Sequence, residues 1–315
     1  MAIHILGLHH VTATVDQAQA DLDFFAGDLG MRLVKKTVNF DNRHVYHFYY
    51  GDTAGTPGTI WTTFPYHGHG VRKGQHGSGQ VTATTLSVPA GSLDFWLERL
   101  AGRGFSPLRL PSRFGEAVVA VTDPSGLTIE LVATERDQRE PWLATGVTLA
   151  QAVRGVHSVT MTIASPSETL SFMTSVLGFT TVATEGDRTR LAIGGPGPGH
   201  EFDVVAAPST LRGMNGVGTV HHVAMAVATS DEQARIRKML LDLGVQVTRI
   251  LDRQYFQSIY FREPGGVLFE IATAQPGFAI DEAPEALGRG LKLPPWEETH
   301  RSDIEAGLPP LILPP

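Results

Sequence analysis

Val223-Ala-Met-Ala-Val227, preceded by His221-His222, is a short alternating strand, and it opens one unit that runs over residues 218–274. Residues Asp231 to Leu243 carry apolar side chains at helical spacing and stop at Gly244-Val245. A glycine just past the last periodic position is the expected helix stop, because it enters the left-handed region without a Cβ clash. Sequence with period-two alternation follows, broken by turn residues, as far as Glu263-Pro-Gly-Gly-Val-Leu-Phe-Glu270. The unit reads β-α-β-β-β.

The same order occurs three times upstream. Helical stretches Gln17–Leu29, Ser92–Arg103 and Ser167–Leu177 end at Gly30-Met31, Gly104-Phe105 and Gly178-Phe179. With Gly244, these glycines fall 74, 74 and 66 residues apart, a period that unrelated helices do not keep. Each helix follows a strand: Val11-Thr-Ala-Thr-Val15, Thr84-Thr-Leu-Ser-Val88 and Val159-Thr-Met-Thr-Ile163. One unit exposes a sheet face that it cannot bury alone. The predicted architecture is α+β, with four tandem βαβββ units at residues 1–66, 79–135, 152–208 and 218–274. They close two open-barrel cavities, one from units 1 and 4 and the other from units 2 and 3. Tyr66–Gly79 and Arg136–Gln151 read as connectors. The Pro-rich tail, residues 275–315, leaves the repeat and is expected to wrap over the body or fray.

Composition narrows the chemistry. A net charge of -7 gives no general attraction to nucleic acid or anionic membrane. The absence of cysteine removes disulfides, thiolate ligands and a cysteine nucleophile, so any metal must sit on imidazole, carboxylate or water. The first residues do not read as a signal peptide, and no apolar run spans a bilayer, so a cytoplasmic home is the expectation. The Gly194–Gly199 run lacks the strand-turn-helix setting of a nucleotide loop.

Superimposing the first strands aligns His10, Ala83, Ser158 and His222, preceded by His9, Thr82, His157 and His221. Aligning the last strands on their turns gives Thr63, Glu130 and Glu270. The third unit is ambiguous there, with Val204 at the same offset and Asp203 beside it. Successive strand residues face opposite ways, so one histidine of each doublet is expected to face the cavity, and the apolar alternation selects His10 and His222. With Glu270 they make a two-imidazole, one-carboxylate set that leaves open positions, as suits Fe(II) acting with dioxygen. Thr63 is a poor fourth ligand. The ordinary alternative is a packed His-His pair and a solvated glutamate. Against it, both doublets fall at one point of the repeat and the glutamate at the other end of the same unit. Units 2 and 3 cannot assemble this set, so their cavity is read as structural, with Glu130 the partner of an arginine. His44 and His47 read as pocket lining or surface.

Around these positions the chain resembles the vicinal oxygen chelate superfamily, and within it the ring-cleaving hydroquinone dioxygenases. The resemblance is carried by Leu8-His-His-Val-Thr12, Asp23-Phe-Phe25, Gly55-Thr-Pro-Gly-Thr59, Thr62-Thr-Phe-Pro65, Lys73-Gly74, Pro89-Ala-Gly-Ser-Leu93, His221-His222, Tyr260 and Pro264-Gly-Gly-Val-Leu-Phe-Glu270. It implies Fe(II) on His10, His222 and Glu270, with Mn(II) the alternative, and supporting roles for His9, Thr12, His221, Arg253 and Tyr260. Tyr260, His221 or His9 would then accept or return protons, and Arg253 would stabilise developing negative charge. Implied partners are a small aromatic substrate and dioxygen, with assembly of identical copies left open. Competing functions are extradiol cleavage of a catechol, a glyoxalase-type isomerase, which usually wants four protein ligands, and a small-molecule-binding protein.

Overall fold

The structure, a computed structural model, describes residues 3–313. Unit 1 supplies β1 (Gly7–Val15), helix α1 (Ala18–Leu22), which widens into a π-helical turn over Asp23–Asp28, and strands β2 (Arg32–Asn39), β3 (Asn42–Gly51) and β4 (Ile60–Pro65). Unit 2 supplies β5 (Gln80–Val88), α2 (Leu93–Gly102), β6 (Leu108–Arg113), β7 (Glu116–Thr122) and β8 (Thr128–Ala133). Unit 3 follows with β9 (Gly155–Ile163), α3 (Pro166–Ser175), β10 (Thr180–Glu185), β11 (Arg188–Ala192) and β12 (Glu201–Ala206). Unit 4 has β13 (Thr219–Val227), α4 (Ser230–Asp242), β14 (Leu251–Asp252), β15 (Gln257–Arg262) and β16 (Leu268–Thr273). Gly30, Gly104, Gly178 and Gly244 all sit at positive φ, between 71° and 91°, which is why each helix stops there.

Units 1 and 4 share one eight-stranded sheet, β14-β15-β16-β13-β1-β4-β3-β2, and units 2 and 3 the other, β10-β11-β12-β9-β5-β8-β7-β6. The unit pairing read from the sequence is therefore the observed one. The seams are antiparallel, β1 against β13 and β5 against β9. Helices cover the outer faces. Phe25 on the first helix packs its ring 5.3 Å from Tyr50 and 5.2 Å from Trp61, leaving Tyr49 and Thr62, one residue out of phase, to face inward. The halves meet through Phe202 and Phe269 and through Arg139, which reaches the carbonyls of Gly58 and Val156 at 2.7 and 2.9 Å.

Strict alternation fails at one point in the first strand of every unit. The β1–β13 register skips His9 and His221, and the β5–β9 register skips Thr82 and His157. Each is a bulge, where one extra residue leaves the ladder and re-aims its neighbours. The bulges fall on the residues that precede the four superimposed first-strand positions.

The tail wraps over unit 1. Phe278 packs 4.9 Å from the Tyr49 ring, and Lys35 is fully buried in ion pairs with Asp281 and Glu282 at 2.6 and 2.7 Å. A last helix, α5 (Arg301–Gly307), buries Ile304, and Pro309 accepts a hydrogen bond from the Tyr46 hydroxyl. The connectors flanking units 2 and 3 run side by side, with bridges Lys73–Val217, Gln75–Met214 and Ser78–Arg212.

Candidate metal centre

In the seam, Thr12 pairs with His222, so the first strands of units 1 and 4 bring His10 and His222 to one place. Glu270 pairs with Ala224, two residues past His222. The three side chains converge although 212 residues separate the imidazoles. His10 Nε2 and His222 Nε2 lie 3.1 Å apart, and Glu270 Oε2 is 3.2 and 2.8 Å from them. All three residues are buried, Glu270 completely. Oε2 has no hydrogen-bond geometry to any partner among the described residues, while Oε1 accepts from the Ser258 hydroxyl.

The bulges order the protons around the triangle. His9 Nε2 lies 3.2 Å from the Thr273 carbonyl, which can only accept, so this nitrogen carries the proton. Burial, then His10, push the His9 pKa down to about 3, so the ring is neutral and its Nδ1 is an acceptor. His10 Nδ1, 2.8 Å away, must donate to it, which leaves the His10 Nε2 lone pair pointing at Glu270. The same contact recurs between His221 Nδ1 and His222 Nδ1 at 2.7 Å. Burial and His222 likewise lower His221 to about 3.

Beside the triangle lies a cavity of about 400 Å³, lined by His10, Thr12, His47, His221, His222, Arg253 and Tyr260 among others. Of the supporting residues expected from sequence, Thr12, His221, Arg253 and Tyr260 reach it. His9 does not. It is enclosed between His10 and Phe256, so the proton-carrying role expected for it does not fit, and it orients the His10 ring instead. Two further expectations need correction. Strict alternation put one histidine of each doublet toward the cavity, yet the bulge at His221 lets it line the cavity beside His222. Thr63 is also one residue out of register. The position equivalent to Glu270 pairs two residues past His10, and that is Thr62, opposite Thr12. Thr63 faces the other way and donates to Asp21 at 2.6 Å. In unit 3 the equivalent residue is Asp203, opposite Thr160, rather than Val204.

Arg253 is both a cavity wall and an ion-pair partner, 3.2 Å from Asp41, with its guanidinium 5.5 Å from the centre of the Tyr260 ring. Burial, then the charge of Glu270, push the Tyr260 pKa up, so its hydroxyl keeps its proton. The ring stands edge-on to His222 at 5.4 Å.

In the other half, arginines occupy the corresponding ground. Glu130 is paired with Arg113 and accepts from Thr85 at 2.8 Å, as read from the sequence. Asp203 accepts from Arg190 Nε at 2.7 Å. A second group of potential ligands, Glu116, His157 and Glu201, went unnoticed in the sequence because Glu116 and Glu201 occupy no shared repeat position. Arg190 lies among them, 2.7 Å from Glu116 and 2.9 Å from Glu201, and supplies the positive charge itself. A more open groove of about 680 Å³ adjoins this cluster.

Comparison with known proteins agrees with this geometry. The sequence profile described as Glyoxalase/Bleomycin resistance protein/Dioxygenase superfamily matches residues 7–131 and 155–271. The chain is 42% identical over 98% of both chains to MhqO of Bacillus subtilis (strain 168), provisionally named a ring-cleaving dioxygenase. It is 38% identical to the chlorohydroquinone/hydroquinone 1,2-dioxygenase of Sphingobium indicum, covering 95% of this chain and 94% of that one. A solved Bacillus subtilis structure, provisionally described as a dioxygenase, superimposes with a TM-score of 0.94 at 41% identity, covering 99% of each chain. Glyoxalase I of Zea mays shares the fold, with a TM-score of 0.62 at 14% identity, over 87% of this chain and 93% of that one. Two matched segments on the two halves of a duplicated sheet, with His and Glu side chains gathered where a metal could sit, have one explanation: the chain belongs to the Glyoxalase/Bleomycin resistance protein/Dioxygenase superfamily.

Proposed function

We propose that this protein is a ring-cleaving dioxygenase acting on a substituted hydroquinone with dioxygen, and that His10, His222 and Glu270 hold a ferrous ion. The observation that carries the reading is the triangle. In an octahedral site with bonds of about 2.1 Å, neighbouring donors lie about 3.0 Å apart, against about 3.4 Å in a tetrahedral one. Edges of 2.8, 3.1 and 3.2 Å fit one octahedral face. Three potential ligand atoms this close, one of them on a fully buried carboxylate, make a corner that a single cation would fill. Two imidazoles and a carboxylate without sulfur suit non-haem iron, with Mn(II) the alternative. When bound, iron supplies the charge that acidifies a phenolic hydroxyl and the electrons through which a ring reacts with dioxygen.

The rest of the cavity is built to orient an aromatic ring. Phe64 and Phe256 give apolar walls beside the triangle. Arg253 lines the cavity and would stabilise negative charge that develops on oxygen as dioxygen is reduced. Tyr260 Oη, kept protonated, is placed to return a proton to an oxygen of the opening ring. The neutral His221 ring can orient the substrate but is a weak base.

The test is anaerobic Fe(II) reconstitution followed by oxygen-uptake assays against hydroquinone, methylhydroquinone, chlorinated hydroquinones and catechol. One dioxygen consumed per para-diol, with loss of the aromatic absorbance, is expected. Cleavage of catechol alone would replace this reading by extradiol cleavage, and no uptake by the iron-loaded protein would end it.

A further inference from the structure

His47 is the one histidine of the cavity that neither the triangle nor its supporting bonds use. On β3 it stands two residues from Tyr49, which pairs with Thr62, which pairs with Thr12, which pairs with His222. Tyr49 is thus in the row of the triangle. His47 is one inward-facing step further along, about 6.7 Å at the rise of an extended strand. Its ring is clamped between Tyr49 and Phe64, with centroids 4.0 and 4.2 Å away.

The hydrogen bonds fix which nitrogen is free. His47 Nε2 lies 2.8 Å from Thr62 Oγ1. Thr62 has one hydroxyl proton and donates it to Thr12 Oγ1 at 3.0 Å. Toward His47 it can only accept, so Nε2 carries the imidazole proton. Burial, and then the positive field of His10, His222 and Arg253, keep the ring neutral. Nδ1 is therefore a lone-pair acceptor, and it has no hydrogen-bond partner among the described residues.

We propose that His47 Nδ1 accepts the hydrogen bond of the substrate's far hydroxyl, the one para to the oxygen held at the triangle, and so selects para-diols. This rests on the ring-cleaving reading above. A para-diol cannot bring both oxygens to one metal, so its second hydroxyl must find a protein acceptor about one ring's length away. A catechol presents both oxygens at the triangle and leaves His47 unused. Thr12 and Thr62 hold the acceptor in its tautomer, which makes them positioning residues.

The experiment is anaerobic titration calorimetry of the Fe(II)-loaded protein with hydroquinone and with 4-fluorophenol, which is close in size but has no far proton to donate. Wild type should bind hydroquinone roughly tenfold more tightly, the ratio expected for one buried neutral hydrogen bond. His47→Leu should bring that ratio to about one while changing 4-fluorophenol affinity little. His47→Asn, which keeps an acceptor near the Nδ1 position, should restore part of it. Iron stoichiometry of each variant reports on folding independently. An unchanged ratio in His47→Leu, or a ratio near one in the wild type, overturns the assignment. If the iron-loaded wild type binds neither phenol, the ring-cleaving reading fails, and the His47 assignment fails with it.

Discussion

Removing the metal should cost the folded protein a calculable amount. A ligand that binds only the native state at a hundred times its Kd stabilises by about 2.7 kcal/mol. Unfolding entropy of about 2.1 cal/mol/K per residue gives roughly 0.66 kcal/mol/K for 315 residues. Saturating Fe(II) should thus raise the melting temperature by about 4 °C over the chelator-treated protein, read by anaerobic scanning calorimetry. Glu270→Gln keeps the shape, and the side-chain oxygen can still accept from Ser258, but the charge at the third corner is lost. Its metal response should vanish. Its metal-free melting temperature should stay level or rise, because a buried carboxylate facing two ring nitrogens is no longer held there. His222→Ala should also lose the response. A wild type indifferent to Fe(II), or a Glu270→Gln variant that keeps the full 4 °C, would show that the triangle is not the metal site.

Three further outcomes follow from particular contacts. Tyr260→Phe should bind iron with wild-type stoichiometry yet take up oxygen at least tenfold more slowly with hydroquinones, since a misplaced ring and a missing proton donor both act on the reacting state; unimpaired uptake would reassign Tyr260 to packing. Asp21 is buried under Tyr50 and Thr63, and burial raises its pKa from 3.8 to about 8. A carboxyl raised on folding binds its proton more tightly in the native state, so its contribution to stability is complete below pH 4 and is lost as pH rises toward 8. Urea unfolding should show Asp21→Asn flattening that slope, by on the order of 3 kcal/mol between pH 5 and 8; parallel pH profiles for the two proteins would refute it. Arg190→Met should destabilise by about 3–5 kcal/mol at neutral pH, because Glu116, Glu201 and Asp203 lose their shared buried cation; a loss under 1 kcal/mol in denaturant unfolding would count against its central place.

The repeat was legible because its signals are local and physical. A glycine that must take positive φ marks each helix end, and alternation marks each strand. The meeting of His10 with His222 and Glu270 followed from superimposing units, since one architecture places equivalent residues at equivalent points. What stayed hidden depended on single-residue register. A bulge has no distinctive composition, so nothing in His9-His10 or His221-His222 announced that alternation would break there. Aligning the last strands on their turns landed on Thr63 instead of Thr62, and a slip of one residue turns a strand position to the other face. Arg190 and Glu116 come from strands of different units, a partnership no periodicity encodes. The tail offered no pattern either, although Lys35, a charged residue in a buried stretch of β2, was a sign that something acidic had to cover it.

The seam between β1 and β13 also dictates an order of manufacture. His10, one corner of the triangle, is translated long before Glu270, the last corner. The sheet of units 2 and 3 needs nothing beyond residue 206, so it can close while the fourth unit is still inside the ribosome. Until then the first unit has an unpaired seam strand and a single corner of the triangle, His10. The three corners can therefore meet only after the fourth unit is made, and a product truncated between His222 and Glu270 would carry both histidines but never the full set.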